Sequence, residues 1–337
     1  MVRVIAAFII AMLASIVIGP KFIEFLRRNT LGHQIREDGP EHHRAKQETP
    51  IMGGLLIMIT SSLAFLLMSK YTLAGLTVLG VTLGCALVGF LDDLIKVTHR
   101  RSLGMRGRWK LLMLLAITAA IGYAAHESGR STDLYLPGVD WSLPLSWIWY
   151  GLLFFIVAGA ANGVNLTDGL DGLAAGTAMI ALLTFTAMNV IAHIRSDPVI
   201  ALRSETDLDL AILGAALVGG TIGFLWYNAF PADVMMGDTG SMGLGGALGG
   251  FAIMTKTEML LLLIGGIFLV EALSVMLQVA SFKYWGRRIF LMAPIHHHFE
   301  MKAWSETKIV VRFWIVTALL CASGFVLYYR DYLQFGL

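Results

Sequence analysis

The sequence predicts an all-α, polytopic integral membrane protein with about ten transmembrane helices, and three observations carry that prediction. Of 337 residues, 57% are hydrophobic and only 14% charged, with a mean hydropathy of +0.72, whereas soluble domains are about 25% charged. Apolar runs approaching the roughly 20 residues that a bilayer demands recur from Val2 to Tyr329 with short polar breaks. These runs lack a period of two, so helices rather than the strands of a closed barrel must satisfy the backbone in lipid.

The first span, expected at 2–26, looks like a signal-peptide core over Val4 to Ile18. It continues through Phe22 and Phe25 without a small-residue cleavage site, so it reads as a retained span. The second and third, at 51–69 and 72–91, are parted by Lys70 and Tyr71, and the third ends at the acidic pair Asp92-Asp93. The fourth and fifth (109–125 and 145–161) flank a connection from His126 to Pro144, and the sixth and seventh (171–194 and 210–228) flank another from Arg195 to Asp209. The acids of these two connections, among them Asp133, Asp140, Asp207 and Asp209, show no repeated pattern and read as ordinary solvated residues. The eighth span, 238–254, carries a glycine run from Gly243 to Gly250 that reads as a close helix-packing face rather than a phosphate loop. Spans at 258–280 and 308–329 complete the set. Cys85 and Cys321 lie inside apolar stretches, which excludes a disulfide framework and a cysteine-based zinc site. With no fixed-period repeat or low-complexity tract, a single membrane domain is expected to fill residues 1–337.

Orientation follows from where Lys and Arg collect. With ten spans, one face receives Arg27 to Lys46, Lys96 to Arg108 and Lys283 to Lys302, twice as many basic residues as the other face, which receives Arg3, Lys70, Arg130, Arg195, Arg203, Lys256 and Arg330. The first face is expected to be cytoplasmic, with both termini periplasmic or extracellular. The formal net charge of +2 says little about partners by itself, and no nucleic-acid partner is expected.

Four polar clusters fall on that cytoplasmic face: Asp92-Asp93 ending the third span, Asn165-Leu-Thr-Asp168-Gly-Leu-Asp171 opening the sixth, Gly237-Asp238-Thr-Gly240 opening the eighth, and His296-His297-His298 in the last inner loop. Ionisable groups at membrane depth are costly and usually mark a functional site. Carboxylates from separate segments repel unless a cation offsets them, and clustered carboxylates without cysteine suit a hard ion such as Mg²⁺ or Mn²⁺, which also holds substrate phosphates. Contiguous histidines point in different directions, so at most two could share a metal, and phosphate contact or support of the metal ligands is the better reading. Glycines beside acids at helix starts offer free N–H groups to phosphate oxygens. Lys46, Lys96, Arg100 and Arg108 flank these clusters, although the positive-inside bias alone accounts for most inner-loop basic residues.

The motifs TPIMGG (Thr49 to Gly54), GFLDDLIK (Gly89 to Lys96), NGVNLTDGLDGLA (Asn162 to Ala174), FPADVMMGDTGS (Phe230 to Ser241) and PIHHHFE (Pro294 to Glu300) resemble, in order and spacing, those of the polyprenyl-phosphate N-acetylhexosamine-1-phosphate transferases. REDGPEHH before TPIMGG, and the His triplet followed by Phe-Glu, are similar to the muramoyl-pentapeptide branch rather than the N-acetylglucosamine-phosphate branch. The resemblance runs essentially end to end. It implies a bacterial inner-membrane enzyme that transfers phospho-N-acetylmuramoyl-pentapeptide from UDP-N-acetylmuramoyl-pentapeptide to undecaprenyl phosphate, yielding lipid I and UMP with Mg²⁺, and it implies a homodimer. By matching motif, it makes Asp238 a Mg²⁺ ligand, Asp92 a candidate base towards the lipid phosphate and Asp93 a helper at the metal or phosphates. It assigns Lys96, Asn165, Asp168 and Asp171 to the nucleotide and diphosphate region, with Lys46, His296, His297 and His298 close by. Ile51 stands where the family usually has a small hydroxyl residue, and Met235 where a Phe often lies near the uracil. The rival of another class, an ion-coupled transporter, would predict charges near helix midpoints and related halves; the nearer rival is a sister enzyme using UDP-N-acetylglucosamine.

Overall fold

The structure, a computed structural model, describes residues 1–28, 49–99, 104–139 and 141–335. Lys46, the REDGPEHH segment, Arg100, Arg101 and Asp140 lie outside the described residues. Each predicted span coincides with helix: α1 (Val2–Arg28), α2 (Gly54–Met68), α3 (Leu73–Thr98), α4 (Gly107–Glu127), α5 (Ile148–Thr167), α6 (Leu173–Arg195), α7 (Glu205–Asn228) and α8 (Gly237–Met254). The ninth is divided into α9 (Glu258–Ile264) and α10 (Gly266–Trp285), and after the short α11 (Ile295–Glu300) the chain ends in α12 (Glu306–Phe335). Among the described residues, eight helices are long and apolar enough to cross a membrane, and α2 is a shorter apolar helix.

Local signals account for several boundaries. The Thr72 hydroxyl accepts from Gly75 N before α3, and Ser204 Oγ accepts from Asp207 N before α7, the side-chain caps that helix starts favour. The break in the ninth span falls at Gly265, and glycine is among the weakest residues in a helix interior.

Helix α8 forms the core of the bundle, with every residue from Thr239 to Met254 buried. A Cβ on Gly245 would stand 2.4 Å from the Ala160 carbonyl oxygen of α5, and one on Gly246 would stand 2.7 Å from Cys85 Cβ of α3. The glycine run is thus the packing face its composition predicts, since small residues let helix backbones approach closely. Gly89 does the same from α3: its missing Cβ would lie 2.0 Å from the Asp238 carbonyl oxygen. That close approach draws the acidic end of α3 against the start of α8.

The two connections expected on the outer face depart from the expected solvated loops. A hairpin of β1 (Asp133–Leu136) and β2 (Trp141–Pro144), antiparallel with Asp133 opposite Pro144, occupies the first. Four-residue strands leave too short a pattern to read in sequence. The hairpin is pinned to α12, where Tyr135 Oη and Gly138 N donate to Asp331 Oδ2 at 3.1 and 2.8 Å.

In the second connection, α7 already begins at Glu205, and Asp209 is fully buried rather than solvated. Its carboxylate accepts from Ser69 Oγ, Lys70 N, Thr72 N and Thr72 Oγ1 at 2.6–3.0 Å, tying the α2–α3 turn to α7. Asp209→Ala would strand buried donors, each costing about 1–3 kcal/mol. The expected outcome is a melting temperature well below wild type in detergent.

Candidate functional site

Four of the five sequence motifs meet at the start of α8. Gly53 N and Gly54 N donate to the carbonyls of Met235 and Met236 at 2.9 Å each, and Met235 N donates to the Pro50 carbonyl at 2.8 Å, so the TPIMGG segment runs beside the residues that precede Asp238. Asp93, 1% exposed, accepts from Asp238 N at 3.2 Å, Thr239 N at 3.0 Å and Thr239 Oγ1 at 2.8 Å. It caps the N-terminus of α8 from another helix, using both carboxylate oxygens, and thereby answers amides that a helix start leaves unpaired.

The loop between α5 and α6 is tied to the same point. Asp168 Oδ2 accepts from Gly237 N at 3.1 Å and Asp171 Oδ2 from Ala232 N at 3.1 Å. Asn228 completes the clamp, accepting from Gly172 N and donating to the Val234 carbonyl. Ser241 Oγ donates to Asn165 Oδ1 at 3.2 Å. The sequence reading placed Asn165, Asp168 and Asp171 at the opening of the sixth span. In the structure α5 runs to Thr167, Asn165 lies in its last turn, and α6 starts only at Leu173, after Gly172 at φ 75°. Asp238 does lie in the first turn of its helix, as expected.

Asp92, Asp93 and Asp238 form the group of acids that could hold a metal ion among the described residues, each offering an oxygen within 4.8 Å of the others. Two ammonium groups are set among them. Lys96 Nζ lies 2.7 Å from Asp92 Oδ2, 2.9 Å from Asp238 Oδ1 and 3.8 Å from Asp93 Oδ1. Lys110 Nζ lies 3.0 Å from Asp92 Oδ1 and 2.9 Å from Asp238 Oδ2. Three carboxylates against two ammoniums leave the cluster one negative charge in excess, and its hard oxygen donors at this spacing fit a divalent cation. Lys110 was not singled out from sequence. The available signal was a lysine just inside a predicted span, where ionisable residues usually have a function.

Burial, reinforced by the carboxylates of Asp238 and Asp93, pushes the Asp168 carboxyl up to about 8 from its ordinary 3.8. A carboxyl that holds its proton more tightly when folded gives stability that is fully present below about pH 4 and is lost as pH rises towards 8. With metal chelated, the wild-type melting temperature is therefore expected to fall from pH 5 to pH 8 more steeply than that of Asp168→Asn. Equal slopes in differential scanning fluorimetry would contradict this account.

The three histidines find different polar partners, although the His296 and His297 rings lie only 4.1 Å apart. His296, fully buried, sets Nδ1 2.9 Å from Oε1 of the equally buried Glu271, whose Oε2 accepts from Ile295 N. The other ring nitrogen of His296 has no hydrogen-bond partner among the described residues and faces Gly169, where a Cβ would lie 2.2 Å away. PIHHHFE, the fifth motif, thus abuts the DGLDG loop. His297 pairs with Glu300. His298 Nδ1 accepts from Leu291 N at 3.1 Å, and burial together with Lys302 lowers its pKa, in keeping with a neutral acceptor ring. None of the three belongs to the metal-capable group. Glu271 also escaped the sequence reading, although a glutamate inside a predicted span is the same kind of signal. Ile51 and Met235, the two departures from the family pattern, lie together with Met52 in one small apolar cluster that also contacts Phe90.

A family model described as glycosyl transferase family 4 matches residues 75–256. Among curated proteins, the chain is 46% identical over 326 residues to a phospho-N-acetylmuramoyl-pentapeptide-transferase of Geobacillus kaustophilus, covering 95% of this chain and 96% of that one. It is 44% identical over 329 residues to the protein of the same description from Desulfitobacterium hafniense, covering 97% and 98%. It is also 44% identical over 316 residues to that of Bacillus subtilis, covering 93% and 94%.

Proposed function

The chain belongs to glycosyl transferase family 4, and on that premise we propose that it transfers phospho-N-acetylmuramoyl-pentapeptide from its UDP-linked donor to undecaprenyl phosphate, in the bacterial membrane, with the site open to the cytoplasm. The observation that carries the chemistry is the convergence of Asp92, Asp93, Asp238, Lys96 and Lys110 on the start of α8. An oxygen of the lipid phosphate attacks the sugar-linked phosphorus of the donor. A new P–O bond forms, the bridging P–O bond breaks, and UMP leaves with the electron pair.

Both reactants are anions, so the protein's task is to bring phosphates together and hold them in line. Lys96 and Lys110 turn from the carboxylates to the phosphate oxygens as substrates enter, while Asp92, bonded to both lysines and to Met105 N at 2.7 Å, keeps them aimed. A phosphate monoester has a second pKa of about 6, so the acceptor needs no base and direct attack asks least of these residues. Asp93 holds α8 and with it Asp238. Asn165, Asp168, Asp171 and His296 shape the nucleotide and diphosphate region, and His297 and His298 act at its margin, to which the family resemblance also assigns Lys46. Asp238, with Asp92 and Asp93, would hold Mg²⁺. Bound there, the cation would neutralise charge on the diphosphate.

The test is UMP release by the purified chain from UDP-N-acetylmuramoyl-pentapeptide and undecaprenyl phosphate, with Mg²⁺ or with EDTA. Release that requires Mg²⁺ supports the proposal. Release from UDP-N-acetylglucosamine instead would move the chain to the sister branch.

A further inference from the structure

The opposite end of the bundle encloses a cavity of about 610 Å³, within the range of small-molecule sites. The aspartate cluster uses the starts of α4 and α8, whereas this cavity is lined by Arg130 beyond the end of α4, Arg195 at the end of α6 and Lys256 beyond α8. At 1.5 Å per residue, the 18 residues of α8 set the two sites about 27 Å apart. The transferase reading makes no use of this cavity.

Its charges are arranged unusually. Lys256 is committed: Nζ donates to the carbonyls of Ser131 and Asp133 and to Glu258 Oε1 at 2.8–3.1 Å. Arg130, Arg195, Asp133 and Asp207 also line the cavity, yet among the described residues none of these four ion-pairs with another. Opposite charges in a partly buried space ordinarily close on each other, because unpaired charges are costly there. Here the fold holds them short of contact, with Arg130 and Asp207 near enough to attract each other but without a direct ion pair among the described residues. Arg195 is drawn to Tyr329, donating to its hydroxyl at 3.1 Å. Asp133 is fixed in a hairpin pinned to Asp331. Asp207 is held in the first turn of α7 by the Ser204 cap. The Arg130 guanidinium, half-buried, finds no hydrogen-bond acceptor among the described residues and is attracted only at longer range, by Asp207 and Glu258.

Two guanidiniums with donors to spare and two separate carboxylates complement a ligand that carries both signs. We propose that this cavity binds a small zwitterion, in which an oxyanion meets Arg130 and Arg195 and a primary ammonium meets Asp133 and Asp207. The source is either the headgroup of a phosphoethanolamine lipid or a free zwitterion of the same chemistry.

The test applies native mass spectrometry to the full chain with equimolar phosphatidylethanolamine and phosphatidylglycerol of identical acyl chains, and separately a thermal shift with O-phosphoethanolamine in lipid-free detergent. Wild type is expected to retain phosphatidylethanolamine over phosphatidylglycerol by about tenfold, as charge-assisted pairing favours, and Arg130→Gln and Asp133→Asn each to abolish the preference while keeping UMP release. An Arg130-dependent shift with O-phosphoethanolamine but no lipid preference would assign the site to a free zwitterion. The proposal is overturned if wild type shows neither effect, or if both variants, folded and active, behave as wild type in both assays.

Discussion

Asp238→Asn is expected to lower UMP release by about a thousandfold, at the upper end of losses from removing one group that stabilises charge in a transition state. Asp238 is the acid through which the cluster is joined: it bonds both lysines, and its own amide is held by Asp93. The asparagine keeps the size and one acceptor oxygen but removes the charge, leaving Asp92 and Asp93 alone to balance two ammoniums and a cation. Steady-state release across a Mg²⁺ titration checks the prediction. A variant that regains the wild-type rate at high Mg²⁺ would show that Asp238 serves affinity for the ion alone. A variant with unchanged rate and Mg²⁺ dependence would remove Asp238 from the site.

Lys110→Gln is expected to lower kcat by about a hundredfold, within the range for loss of one transition-state contact, while lowering the Mg²⁺ concentration needed for half-maximal activity. The two effects have opposite signs because Lys110 does two things. Its ammonium lies within 3.0 Å of both Asp92 and Asp238, so it competes with a cation for the same carboxylates, and it is also a charge available to the phosphates. Removing it strengthens the cation site and weakens the phosphate site. A loss of kcat with unchanged Mg²⁺ dependence would mean that Lys110 does not face the cation.

The contrast between Lys96 and Lys110 shows how far the sequence could be read. Lys96 follows Asp92 by four residues on one helix, a neighbour by helical periodicity alone, and was nominated with the GFLDDLIK motif. Lys110 reaches the same carboxylate from another helix, and the loop joining α3 and α4 carries no pattern that states this. Asp209 makes the same point in reverse. In sequence it is one of several acids near an outer connection, and only the packing of α7 against the α2–α3 turn turns it into a buried acceptor with four donors. The partners of Glu271 and Asn228, which are His296 and the Gly172 and Val234 backbone, are legible only in the structure.

The sequence by itself determined the class of the protein, the approximate positions of its helices and the chemistry its motifs bring. These depend on runs of apolar residues about as long as a bilayer is thick and on residue types at fixed short spacings, and both are local properties. Tertiary structure decided which charges from separate helices meet. The approach of α3 and α5 to the glycine face of α8 sets Asp92, Asp93 and Asp238 within reach of two lysines, and it buries the Asp168 carboxyl beside its acidic neighbours, which raises its pKa. Such distances arise from the packing of helices far apart in the chain, and the energy of a charge depends on its neighbours in space rather than in sequence.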